Sequence, residues 1–518
     1  MFSLPVLSPQ QSAEWDGRAE SAGIALATLM DAAGRAVAQV LARRHPDRLA
    51  SGVMIAAGAG NNGGDGWVAA RALHRLGVPV FVAPVGGDLS PLNRQVRAAA
   101  EAGGVRVVEP DGPWPAAAVG IDALLGTGAK GLLRPPLRAL VDRLNDLAIP
   151  LLAVDGPTGI DLATGVSSGV SVTAEITVTF GGLRRGHLLA REDCGDLVVV
   201  DIGHPAPDPA WPILLTDLEA ARTHGRFGAR DHKGMRGRIV VVGGDAGMTG
   251  ALRMACRAAF GAGAGLVHAV APADSIRAIT AAEPDLQTMA HPLSGEPGPA
   301  LLQLVREADV LVIGPGLGKG EGRAELVLAL AQSAPAVVLD ADALKSLAGR
   351  MPALRSAARD RAIILTPHPG EFRRLFPDLA ATAEFDPWSA AAAAASESGC
   401  TVVLKGSPTV VAGAHGPVTT VASGNPGLAT GGSGDILSGL TGTMLAHMQQ
   451  PVVAAAIAAQ SLGRSADLAA RRHTARAVRP MDVVLALPDV WRAWEAARRL
   501  PPAPSPTILL DLAAPQRW

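Results

Sequence analysis

Cysteine is sparse: three residues in 518, Cys194, Cys256 and Cys400, lie far apart and cannot all pair within one chain. That excludes a disulfide framework and predicts buried thiols in a reducing, cytoplasmic compartment. Neither sign of charge dominates, because 46 Lys+Arg against 47 Asp+Glu leave a formal net charge of -1. Such a balance gives no global attraction to nucleic acid or to an anionic membrane, so any anion affinity has to come from local sites. No stretch reaches the roughly 18 uninterrupted apolar residues that a membrane span needs. The start, "MFSLPVLSPQQSAEWDGRAE", lacks a basic segment followed by a clean apolar core, which predicts no signal peptide. There is no G-x-x-x-x-G-K-[ST] motif, which argues against a P-loop nucleotidase, and no closely spaced Cys and His set with zinc-type separation.

What the chain does have is apolar bulk and glycine: 48% hydrophobic residues, 18% charged, and 60 glycines. The length predicts about two to four domains. The first half alternates β-like runs with helical patterns: "SGVMIAA", a helix over 66–76, "VPVFVAPV", a helix near 91–102, "GVRVVE", "VGIDALLG", a helix over 136–147, and "IPLLAVD". Alternation of this kind predicts βαβ units on a mostly parallel, doubly wound sheet, with ligands at the carboxyl ends of the strands. Four prolines in "DIGHPAPDPAWP" (201–212) break the pattern. It resumes in a second α/β unit with "GRIVVVGG", an Ala-rich helix over 249–262, "GLVHAVAP", "ADVLVIGPGLG", "PAVVLDADAL", "RAIILTPHPGEF" and "CTVVLKGSP". The low-complexity "AAAAAS" at 391–396 is expected to be an ordinary helix. The predicted division is a first domain over 1–215, a linker over 216–227, a second domain over 228–495 and a Pro-rich tail over 496–518.

Three loops of the first half follow predicted strands: "GAGNNGGDG" (58–66), "DALLGTGAKGLLR" (122–134) and "VDGPTGID" (154–161). Gly58, Gly60 and Gly63 fit G-x-G-x-x-G, a weak dinucleotide fingerprint by itself. Asp65 would gain nothing beside a phosphate, so the loop must bind something else as well. Lys130 is conspicuous because the chain has only five lysines. Together "GAGNNGGDGWVAARAL", "DALLGTG" and "VDGPTGID", with the upstream "LMDAAGRAVAQVL", resemble the NAD(P)H-hydrate epimerase (YjeF N-terminal) domain over roughly residues 10–210. The resemblance implies that Asn61, Asn62, Gly63, Gly64 and Asp65 contact hydrated NADH or NADPH (NADHX, NADPHX). It extends that contact to Gly126, Thr127, Gly128, Ala129, Lys130, Gly131 and Leu132. It further implies a potassium ion held by Asn62, Asp122 and Thr158, an oxygen-only set suited to a hard cation. Thr158 replaces the serine of the family pattern but keeps the hydroxyl. Interconverting two configurations at C6 requires an acid/base group; the resemblance assigns Asp155, with Lys130 as partner or phosphate ligand.

In the second half "SGNPGLATGGSGDILSGLTG" (423–442) sets "GGSGD" ahead of an apolar helical stretch. Amides freed by glycine at a helix N-terminus form an anion hole, and Asp435 there suits proton removal from an attacking hydroxyl better than phosphate binding. "HKGMRGRIVVVGGDAGMTGALRMACRAAFGAGAGLV", "VIGPGLG", "LDADAL", "TPHPGEFRRL", "LKGSPTVVA" and "NPGLATGGSGDILSG", in that order over about 228–490, resemble the ADP- or ATP-dependent NAD(P)H-hydrate dehydratase (YjeF C-terminal) domain of ribokinase-like fold. That resemblance implies hydrated-nucleotide contacts from Ala251, Gly316, His368 and Asp435, and adenine-nucleotide contacts from Lys405, Gly406, Ser407, Pro408, Thr409 and Gly434. Magnesium is expected with ADP or ATP. Asp245, where the family often has Ser, and Met235 after "HKG" are departures that alter local contacts.

The reading is therefore an α/β protein with a Rossmann-like epimerase domain and a ribokinase-like dehydratase domain, expected as a homo-oligomer with small-molecule ligands and no nucleic-acid or membrane partner. A ribokinase-like small-molecule kinase fused to a nucleotide-binding module is the enzymatic alternative; a first domain that only senses nucleotide is the non-enzymatic one.

Overall fold

Uninterrupted apolar runs such as "VMIAA" and "RIVVV" suit strands covered on both faces, which parallel sheets require. In the computed structural model, which describes residues 4–499 and 507–515, Val53–Ala57 is buried at every position and Arg238–Val242 at every position after Arg238. The described residues divide into two compact units, one of 4–211 with 507–515 and one of 212–499. No helix or strand lies between Val200 and Ile213, where the four prolines fall.

The first unit is built on an eight-stranded sheet. Its order is Ile508–Leu512, Asp196–Val200, Ile176–Phe180, Leu151–Val154, Val119–Ala123, Val53–Ala57, Val80–Pro84 and Arg106–Val107. All neighbours are parallel except the first pair. Val53–Ala57 comes first in the chain among the parallel strands yet lies inside the sheet, with later strands added on either side. The order therefore reverses between Val53–Ala57 and Val119–Ala123, and a crevice opens beyond their carboxyl ends. Helices Leu26–Arg44 and Asn61–Arg75 pack tightly over this part of the core. A Cβ placed on Gly34 would lie 2.5 Å from the Val68 side chain.

Two expectations shift. The helix expected to begin at 66 begins at Asn61, so Asn61, Asn62, Gly63, Gly64 and Asp65 form its first turns. Helix propensity disfavours Asn-Gly-Gly, but a Cβ on Gly63 would fall 1.8 Å from the Gly58 carbonyl oxygen. Close backbone approach overrides propensity here. At the other end, part of the expected tail is structured. Helix Pro480–Arg499 runs past 495, and Ile508–Leu512 pairs antiparallel with Asp196–Val200 as the sheet's edge strand. Residues 500–506 and 516–518 of that tail lie outside the described residues.

The second unit carries a longer sheet, ordered Gln287–Ala290, Leu266–Ala271, Arg238–Val242, Val310–Ile313, Ala336–Leu339, Ala362–Leu365, Thr401–Leu404, Thr409–Ala412, Thr419–Val421 and Ile213–Leu214. It is parallel through Thr401–Leu404, then antiparallel for the next two pairings. Its strand order also reverses, between Arg238–Val242 and Val310–Ile313. Residues 217–223, expected within a linker, form a helix because Thr216 and Glu219 make a reciprocal capping box. The Ala-rich segment is helical as expected, over Pro387–Ser398. All three cysteines are unpaired and buried; burial pushes the Cys194 and Cys400 thiols up to about 12 and Cys256 higher still. No helix among the described residues is long and apolar enough to cross a membrane.

Candidate active sites

In the first unit the loops after three adjacent strands meet. A Cβ on Gly126 would lie 3.1 Å from both Asn62 Oδ1 and Asp155 Oδ2, so these two side chains converge on the glycine loop. Asp155 follows strand Leu151–Val154 with φ 64°, a left-handed conformation rare for a residue with a side chain. Its Oδ2 accepts hydrogen bonds from the Thr127 amide at 2.9 Å and from the Thr127 hydroxyl. Its Oδ1 accepts from the Thr179 hydroxyl at 3.1 Å and pairs with Arg184 Nη2 at 3.3 Å. Burial alone would push the Asp155 carboxyl up, but the Arg184 guanidinium and the Thr127 hydroxyl outweigh it and hold the group below its ordinary value. Asp65 has no such cation beside it among the described residues. Burial, then the charges of Asp155 and Asp16, push it well above the carboxylate range.

Beside this pair Asp122 is fully buried. It accepts from the Thr158 amide at 2.7 Å, the Thr158 hydroxyl at 2.8 Å and the Leu124 amide at 3.1 Å. Even so, burial raises its carboxyl to about 6. Asn61 Oδ1 accepts from Ser90, while the buried Nδ2 of Asn62 has no partner among the described residues. Asn93, which nothing in the sequence singled out, is also buried and donates to the Gly58 and Gly60 carbonyls at 2.9 and 2.6 Å. Gly128, Lys130, Gly131 and Leu132 are exposed, and Lys130 makes no hydrogen bond or ion pair with the described residues. The loop thus brings Thr127 to Asp155 but leaves Lys130 in solvent.

The second site gathers at the carboxyl ends of three adjacent parallel strands, which deliver Asp340, Thr366 and Lys405. Lys405 Nζ donates to Asp340 Oδ1 at 2.9 Å, and the Thr366 hydroxyl to the same oxygen at 2.7 Å. Asp340 Oδ2 is buried without a partner among the described residues and lies 3.6 Å from where a Cβ on Gly434 would sit. Gly434 and Asp435 occupy the first turn of helix Ser433–Met448. Burial, then the Asp340 charge, raises the Asp435 carboxyl to about 7 against the pull of Lys405. His368 caps helix Pro369–Leu375, its Nδ1 accepting from the Gly370 amide and its Nε2 lying 3.3 Å from Glu371. Burial lowers its imidazole below the ordinary value. Lys405 and Lys345 each approach Glu371 at 3.9 Å. Ala251 and Gly316 come together at the other reversal point, with a Cβ on Gly316 3.2 Å from that of Ala251. Ser407–Pro408 is a cis peptide bond, and the Thr409 hydroxyl donates to the Gly406 carbonyl at 3.1 Å. Asp245 pairs with Arg323 at 2.5 Å, so this departure has its own cation.

Sequence reading did not single out Arg184, His187 and Thr179 in the first site, or Asp340, Glu371 and Lys345 in the second. A carboxylate ending an apolar strand, as in "AVVLD", was the available signal for Asp340; Arg184 and His187 carried none.

Two separate loop-built polar sites, each at the strand ends of its own parallel sheet, define a two-domain α/β enzyme of nucleotide-binding type. Residues 26–186 match the family described as YjeF-related protein N-terminus, and residues 239–489 match that described as NAD(P)H-hydrate dehydratase. The chain is 34% identical over 474 residues to the bifunctional NAD(P)H-hydrate repair enzyme Nnr of Escherichia coli, covering 90% of this chain and 89% of that one. It is 37% identical over 400 residues to the enzyme of that name from Mycobacterium tuberculosis, covering 76% and 78%. A solved ADP/ATP-dependent NAD(P)H-hydrate dehydratase from Bacillus subtilis, co-crystallised with ATP/Mg2+, is 27% identical and covers 54% of this chain and 98% of that chain, with a TM-score of 0.47. The chain belongs to the bifunctional NAD(P)H-hydrate repair enzyme family.

Proposed function

We infer that the first unit interconverts the R and S forms of NADHX and NADPHX, and that the second dehydrates the S form using ADP or ATP, releasing AMP or ADP and phosphate. One observation carries this reading. A chain alignable over most of its length with bifunctional repair enzymes holds two strand-end sites whose aspartates are shifted oppositely, Asp155 below its ordinary value by Arg184 and Thr127 and Asp435 up to about 7 by burial and Asp340. A stereospecific dehydratase strands half of an epimer mixture, and a linked epimerase drains both pools.

In the first site Asp155 moves the proton that epimerisation at C6 requires, and the half-buried Asp65, its carboxyl pushed well above the ordinary value, contacts the substrate. The residues fit a potassium ion. Asp122 is a buried carboxylate with no cation beside it among the described residues, the Thr158 hydroxyl is bonded to it, and the Asn62 amide oxygen lies against Gly126 of the neighbouring loop. Asn62, Asp122 and Thr158 would hold it, and its charge would anchor the loops around the substrate.

In the second site Asp435 takes the proton of the C6 hydroxyl. The freed oxygen bonds to the terminal phosphorus as the bond to AMP or ADP breaks. Phosphate then leaves C6 and a neighbouring ring proton is lost, restoring the double bond. Amides at the start of helix Ser433–Met448 and Lys405 face the charge of the transferring group. Magnesium would offset phosphate charge, and Asp340 Oδ2 is the unpartnered carboxylate oxygen available to it. No group of three or more His, Cys, Asp or Glu among the described residues is arranged to hold a metal, so the nucleotide itself would supply most of its ligands. Gly406, Ser407, Pro408 and Thr409 would carry the adenine nucleotide, and Ala251, Gly316 and His368 the hydrated one. Cytoplasmic residence and self-association belong to the same reading; sedimentation of the full chain measures the latter.

Paired variants test this. Asp155→Asn should stop epimer exchange and spare dehydration of the S form, and Asp435→Asn the reverse. Wild-type exchange in Asp155→Asn would remove the acid/base assignment. A stable phosphorylated product without NADH recovery would favour the small-molecule kinase.

A further inference from the structure

Arg184 is nearly inaccessible, its side chain 6% exposed, yet its guanidinium faces the reactive carboxylate rather than solvent. Nη1 donates to the Gly182 carbonyl at 2.9 Å, Nε donates to the Thr127 hydroxyl oxygen at 3.1 Å, and Nη2 pairs with Asp155 Oδ1 at 3.3 Å. Because Thr127 Oγ1 accepts from Arg184, its own hydrogen is left for Asp155 Oδ2. Arg184, Thr127 and Asp155 therefore close a ring in which Arg184 only donates, Asp155 only accepts, and Thr127 relays between them.

His187 completes it from the backbone side. The Arg184 amide can only donate, and it meets His187 Nδ1 at 3.0 Å, so the imidazole hydrogen sits on Nε2 and is donated to the Asp155 carbonyl at 2.6 Å. That bond restrains the peptide following a residue at φ 64°. His187 is fully buried, and burial lowers it to about 4, so it stays neutral and keeps this tautomer. The segment Arg184–His187 thus grips Asp155 at both its side chain and its carbonyl.

We propose that Arg184 is a positioning residue for epimerisation, locking Thr127 and Asp155 into one unit, with His187 fixing the Asp155 backbone. The inference rests on Asp155 being the acid/base group. With four donors around the carboxylate, its orientation is over-determined, and that is the condition under which a proton-transfer group is held to the geometry its reaction needs. A fork with fixed geometry can bridge Thr127 and Asp155 together; an ammonium cannot.

The test follows epimer exchange in the full-length chain without adenine nucleotide, separating kcat from KM, for Arg184→Gln, Arg184→Lys and Asp155→Asn. Arg184→Gln is expected to lower kcat about 100-fold while KM stays within about twofold, since of the residues assigned to the substrate Arg184 bonds to Thr127 and Asp155 and not to Asn61, Asn62 or Asp65. Arg184→Lys, which keeps the charge, should recover at most part of the loss. Wild-type kcat in Arg184→Gln, a loss confined to KM, or full recovery by Lys would each overturn the proposal. Asp155→Asn separates the two claims. If it is slow while Arg184→Gln is wild-type, the acid/base reading stands and positioning fails. If it is wild-type while Arg184→Gln is slow, Arg184 does not act through Asp155 and both fail.

Discussion

Asp155 is buried and Asp435 half-buried, each beside a cation, and their surroundings shift their carboxyls in opposite directions. Arg184 and Thr127 outweigh burial at Asp155, whereas at Asp435 burial and the Asp340 charge outweigh Lys405. The sign of the pH dependence follows. Asp435 works as a base only when ionised, and its carboxyl is raised to about 7, so dehydratase kcat/KM should be full above that pH and fall about tenfold per unit below it. A profile flat down to pH 5 would contradict the assignment. For the first site, Asn62→Ala should raise the potassium concentration giving half-maximal epimerisation by about tenfold or more, measured as exchange rate against added KCl. An unchanged potassium response would remove Asn62 from the ion site. These side chains were unequally legible. Asp155 and Asp435 sit in glycine-rich motifs that mark them, but Arg184 lies 29 residues on, just past strand Ile176–Phe180, which pairs with Leu151–Val154, and no local pattern in "FGGLRRGHLL" announces its bond to Asp155.

At the scale of elements, the helix from Asn61 and the returning edge strand show where local rules lose to tertiary contact. The start of the helix was unreadable because Asn-Gly-Gly resembles a turn; the reason it is helical lies in the carbonyl of Gly58, an interaction between backbones that propensity does not encode. Gly63→Ala should therefore cost at least about 1–3 kcal/mol, seen in denaturant unfolding of the first unit, although alanine is the better helix former. A stabilised variant would refute the packing argument. Strand Ile508–Leu512 was hidden by the prolines around it. It is held by the buried Arg191, which donates to the Leu512 and Ala513 carbonyls at 2.9 and 2.5 Å, and by Arg44, which pairs with Asp511 at 2.6 Å. Arg191→Met should lower first-unit stability by about 2 kcal/mol or more, as expected when hydrogen bonds to a charged group are lost. Hydrogen exchange along Asp196–Val200 reports this directly, and unchanged protection there would contradict it.

At the scale of the molecule, the alternation of apolar runs and helical patterns suffices to read two α/β units, because strands buried on both faces leave an unmistakable composition. Which loops meet was legible only through strand order. Each sheet's strand order reverses once among its parallel strands, and near that reversal the strand ends and helix starts carrying Asn62, Asp122 and Asp155, or Ala251 and Gly316, come together. The central claim is that one chain drains both epimers to reduced nicotinamide nucleotide. The most direct measurement supplies the purified full-length protein with an equal mixture of NADHX epimers, potassium, magnesium and ADP or ATP, and follows NADH absorbance to completion. The account predicts recovery of the whole pool by the wild-type chain, recovery stalling at about half on the same timescale for Asp155→Asn, and none for Asp435→Asn. A wild-type chain that stops at half, or recovers nothing with either nucleotide, would contradict it.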